Sequence, residues 1–139
     1  MSFREKSAVV TIGALLLASA VYVVSLVTAA GGGALADVEY RPMVIGFVIV
    51  LALLSVGGQI AVALMRPREA QAPADERERV INWRASAYGG YVLGVLAFVV
   101  LCLALAEVDW FWIANATLGL WVAAELVSSA SVLALARRG

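Results

Sequence analysis

Asp75-Glu76-Arg77-Glu78-Arg79-Val80-Ile81-Asn82-Trp83-Arg84 is the one dense run of charge in a 139-residue chain that is 63% hydrophobic and only 14% charged. A soluble domain is apolar over ~45 to 50% of its residues. The chain therefore reads as an integral membrane protein, with this run as the polar divide between two apolar halves. Asp75 is placed to cap a helix, and Glu78 three residues on completes a capping box in which Asp replaces Ser or Thr. Glu76 and Glu78 suit the positive end of that helix, and Glu76 can pair with Arg79 at i, i+3. A helix that starts in water here should run unbroken into an apolar span.

Outward from the block, each half folds as a hairpin. The run Ala8 to Ala30 carries no charge, and ~20 apolar residues suffice to cross the hydrocarbon core as a helix. Ala34-Leu35-Ala36 before Asp37 also fits a signal-cleavage pattern, but the preceding run exceeds the ~7 to 15 residues of a signal h-region, so a retained helix is expected. Gly31-Gly32-Gly33 should break it, and Pro42 should open the next helix, where its missing N–H costs nothing. A polar linker follows from Glu69 to Ala74. On the other side of the block, a tight Glu107-Val108-Asp109 turn separates the last two spans. The expected fold is all-α: one domain of four transmembrane helices in two hairpins, over residues 8–30, 43–65, 85–106 and 111–136, with a polar segment at 66–84.

Orientation follows from the basic residues, which are retained on the cytoplasmic side. Of the 10 lysines and arginines, all but Arg41 lie at the N-terminus, in the central segment or at the C-terminus. Both termini and the segment 66–84 are therefore expected in the cytoplasm, with two acidic turns outside. Trp110 and Trp112 should stand in the outer aromatic belt and Trp83 in the inner one. The two turns, Ala34-Leu35-Ala36-Asp37-Val38-Glu39-Tyr40 and Ala104-Leu105-Ala106-Glu107-Val108-Asp109-Trp110, match by identity or like-for-like exchange. They would mark a parallel repeat if the flanking helices aligned, which they do only poorly.

Composition also removes function classes. Net charge is +0, without the basic stripe that nucleic-acid binding needs. There is no histidine, and the single cysteine, Cys102, falls in an apolar run. Histidine-based triads, the zinc-protease motif and thiolate clusters are thus excluded, and no metal, cofactor or enzymatic activity is expected.

Two places can carry function. Glu125 precedes Arg137 by twelve residues, roughly 18 Å along a helix and near the bilayer midplane. An ionisable group there is costly and normally faces the bundle interior with a partner. Ser128 and Ser129 lie a turn away, and Gln59 on the second helix is a candidate partner. The group could carry a proton or hold a cation. Alternatively, it could pin helices together as a protonated or hydrogen-bonded carboxyl. The second place is the block itself. Asp75, Glu76, Arg77, Glu78, Arg79, Trp83 and Arg84 fix topology and touch anionic lipid, and their mixed signs also suit docking of a protein partner. Gly57-Gly58 and Gly89-Gly90 permit close helix approach.

Arg4-Glu5-Lys6, the 75–81 block followed by Arg84-Ala85 and Tyr88, and Ala124-Glu125-Leu126-Val127 running to Arg137-Arg138-Gly139 together resemble an uncharacterised family of small four-helix bacterial inner-membrane proteins. The resemblance covers nearly the whole chain. Members often carry a glutamine and a tyrosine where Val132 and Ala136 stand here. It implies an inner-membrane location and no known enzymatic activity. The expected function is that of a non-enzymatic accessory or regulatory subunit working through contacts with another membrane or cytoplasmic protein. A small oligomeric proton-coupled transporter using Glu125 is the alternative, and homo-oligomers are compatible with both.

Overall fold

The computed structural model describes residues 3–65, 67 and 75–137. The expected linker Glu69 to Ala74, together with Arg66, Arg68 and Arg138, lies outside the described residues. Among the described residues, four helices are long and apolar enough to cross a membrane: α1 (Phe3–Ala30), α2 (Arg41–Met65), α3 (Glu76–Leu105) and α4 (Trp110–Arg137). The protein is all-α and has the form of a multi-pass membrane protein.

The helix ends follow local chemistry. Gly31 and Gly32 take positive φ (54° and 91°) and stop α1 where glycine bears no Cβ penalty. Asp75 has extended backbone angles and accepts a 2.7 Å hydrogen bond from the Glu76 N–H, so it is the N-cap of α3. Glu78 does not close the reciprocal half of the box. Its carboxylate instead meets Arg4 Nε at 3.2 Å, linking α3 to α1. Glu76 and Arg79 form no ion pair. At the far end of α3 the Glu107 N–H bonds Ala104 O and the Val108 N–H bonds Leu103 O. This is a Schellman closure with glutamate at φ 54° in the position that usually holds glycine. Asp109 then accepts from the Phe111 N–H at 2.8 Å and caps α4.

The two matched turns differ in shape. Leu35–Asp37 form a 3-10 turn after the glycines, whereas Ala104 and Leu105 still belong to α3. The likeness is one of composition. The first turn also packs inward: Leu35, Val38 and Tyr40 lie against the core.

In the plane of the membrane the helices follow the order α2, α1, α4, α3. Helix α1 packs on both α2 and α4, while α3 packs extensively on α4 alone. The core joins Ala14, Leu15, Ala18, Tyr22 and Leu26 of α1 to Phe47 and Leu51 of α2 and Phe111 of α4. Tyr40 and Trp112 both meet the Phe111 ring edge-on, with centroids 5.4 and 5.1 Å away. Such pairs add about 0.5 to 1.5 kcal/mol beyond their burial.

One glycine of each pair sets a close approach. A Cβ on Gly58 would strike Val10 of α1, and one on Gly89 would come within 2.9 Å of Ser128 Cβ and 3.0 Å of Ala124 O on α4. Gly57 and Gly90 face open space. Of α3, only Ala85 and Gly89 are buried.

Candidate functional site

Besides the Arg4–Glu78 ion pair, three hydrogen-bonded contacts join helices among the described residues, within the spans or at their ends. At the end that carries the charged block, Ser7 Oγ donates to Gln59 Oε1 at 2.8 Å, and Gln59 Nε2 reaches Ser7 O at 3.4 Å and Thr11 Oγ1 at 3.5 Å. Toward the other end, Tyr22 Oη donates to Asn115 Oδ1 at 2.7 Å, while Asn115 Nδ2 donates to Phe111 O. The Arg77 guanidinium donates to Ala136 O at 3.4 Å, which brings the start of α3 to the end of α4. Thr11, Thr28 and Thr117 return their hydroxyls to backbone carbonyls one turn earlier. Within the spans such bonds satisfy polar groups that lipid would leave unpaired.

The structure distributes the residues expected to form an intramembrane site. Gln59 is held between α1 and α2, because Gly58 lets α2 close on Val10 and so delivers the next side chain to Ser7 and Thr11. It does not meet Glu125. Ser129 is buried, and Ser128 packs against Gly89 of α3. Glu125 is exposed on the outside of the four-helix unit, rather than turned into its interior. The reason is the phase of α4. Leu118, Val122 and Leu126 pack toward the α1–α2 core, and Ala124 and Ser128 face α3. Glu125 falls on the strip between these two stripes, next to Trp121 one turn away, which is 42% exposed. Among the described residues Glu125 has no hydrogen-bond or ion-pair partner. An unmatched carboxyl thus stands midway along α4 on a surface that the other described residues leave exposed.

The charged block is divided in use. Asp75 is occupied as a cap, Glu78 by Arg4, and Arg77 in part by Ala136 O. Glu76, Arg79, Trp83 and Arg84 are exposed, Trp83 at 75%. With Arg77, Val80, Ile81 and Leu135 they line an open depression of about 1010 Å³ where α3 meets the end of α4.

The partners Ser7, Thr11, Tyr22 and Asn115 were not among the sequence-based candidates. Their signal was present as polar residues inside otherwise apolar spans, but nothing in the sequence says which of them meet. Comparison with protein-family models, characterised proteins and solved structures finds no match. Among the described residues, no group of acidic or cysteine side chains is gathered as a metal site.

Proposed function

We propose that the chain is a small, non-enzymatic inner-membrane protein of bacterial type. In this reading it serves as an accessory or regulatory subunit through contacts with another membrane protein, with both termini in the cytoplasm. The observation that carries this is Glu125. An ionisable side chain at mid-depth costs ~2.5 to 3.5 kcal/mol when charged and normally meets a polar partner within the protein. Among the described residues it has none here, and it lies on an exposed strip beside α3, a helix that packs extensively on α4 alone. Both features suit a surface completed by a second polypeptide. Orientation rests on the arginine distribution.

The test is purification of the full chain from native membrane, with identification of what stays bound to wild type, Glu125→Gln and Glu125→Leu. A partner held by wild type and lost from Glu125→Leu is expected. Identical bound sets for all three would overturn the reading.

The same exposed carboxyl favours one other reading, a small oligomeric proton-coupled transporter in which copies bring their Glu125 side chains together. Proton-coupled flux in liposomes that Glu125→Gln abolishes would support it. Flux that survives the substitution would remove it.

A further inference from the structure

The depression at the start of α3 has a chemistry of its own, separate from Glu125. Arg77, Val80 and Arg84 repeat at i, i+3 and i+7 along one stripe of the helix, and Glu76, Arg79 and Trp83 do so along the next. All six line the same hollow. Of the nearby described acids, Glu78 faces Arg4 and Asp75 caps the helix, and neither lines the hollow. Three arginines therefore stand against one lining carboxylate, Glu76, at the positive end of a helix dipole. The floor is apolar, formed by Val80, Ile81 and Leu135. The site lies where α3 passes from charged to apolar sequence, at the depth where lipid headgroups meet their chains. At about 1010 Å³ the hollow matches the upper end of sites that hold drug-sized molecules.

We propose that this depression is a binding site for an anionic phospholipid. Arg79 and Arg84 take the headgroup phosphate and its neighbouring oxygens in forked hydrogen bonds, which guanidinium geometry allows and ammonium does not. Arg77, held by Ala136 O, adds charge from the rim. Trp83 lies along the glycerol region, and the first methylenes of the chains cover Val80 and Leu135. Electrostatic attraction of this kind adds up over neighbouring arginines.

The test is native mass spectrometry of the full chain in detergent, titrated with phosphatidylglycerol, with phosphatidylcholine and with inorganic phosphate. Phosphatidylglycerol should bind at least ten-fold more tightly than phosphatidylcholine. Each Arg→Gln change at 79 or 84 should weaken it by about five-fold, and Arg→Lys should recover only part of that loss. Circular dichroism and gel filtration keep the Gln variants interpretable, and Arg41→Gln, at the start of α2 and outside the depression, should change nothing. Equal binding of the two lipids would overturn the proposal, as would displacement of lipid by millimolar phosphate, which would identify a free-anion site. Co-purification of a protein dependent on Arg79, without lipid preference, would assign the hollow to a protein partner.

Discussion

The Tyr22 hydroxyl donates to Asn115 Oδ1 at 2.7 Å, across the contact between α1 and α4, and so joins residues 93 apart in sequence. The acceptor is aimed by its own amide, which donates to Phe111 O. This bond ties the two hairpins together beside the buried Phe111 ring. Tyr22→Phe should lower stability by about 0.5 to 2 kcal/mol, the range of polar contacts between membrane helices. Reversible unfolding in mixed micelles measures it. Tyr22→Phe combined with Asn115→Ala should cost less than the sum of the two single changes.

Gly89 and Gly90 offer a matched pair of tests. A methyl at 89 would press on Ala124 O and Ser128 Cβ, neither of which is the end of a flexible chain. Gly89→Ala should destabilise by about 1 to 3 kcal/mol, as overpacking does. Gly90→Ala meets nothing within 4 Å and should leave stability unchanged or slightly raised. Equal effects in an unfolding assay would refute the close approach of α3 and α4.

Glu107 occupies the left-handed conformation that closes α3. A side chain there costs roughly 1 to 2 kcal/mol compared with glycine's freedom. Glu107→Gly should therefore stabilise the protein by about 1 kcal/mol, and Glu107→Val should destabilise it. Both follow from thermal unfolding curves in detergent.

Gln59 and Glu125 should respond in opposite ways to the same replacement. Gln59→Leu removes the acceptor of the Ser7 hydroxyl and should lower stability by about 0.6 to 2 kcal/mol. Glu125→Leu removes no hydrogen bond or ion pair among the described residues and should leave its unfolding in detergent within about 0.5 kcal/mol of wild type. A large loss at Glu125 would mean that the group is structural within the monomer.

The spans and their ends were legible because apolar length, Gly31-Gly32 and Asp75 act locally. Side-by-side order was not. Helix α3 is apolar almost all round above Arg84, since lipid takes the place of water, and hydropathy then says nothing about which face meets α4. That information lies in size: Gly58 against Val10, and Gly89 against Ser128. The side on which Glu125 emerges follows from this packing, as does the pairing of Gln59 with Ser7. The cap at Asp75 was read correctly, but its box partner Glu78 was claimed by Arg4, a residue distant in sequence.

Helix α3 packs extensively on one neighbour, and that neighbour is made after it. A chain growing from its N-terminus completes α1 and α2 first, and these can pair at once through Gly58 and Gln59. Of these, helix α3 touches α1 at its start, through Glu78 and Arg4. Its packed surface is complete only when α4 arrives, bringing Ala124 and Ser128 to Gly89. The last helix is thus the keystone of assembly, and the carboxyl of Glu125 reaches the membrane only as the structure that displays it is completed.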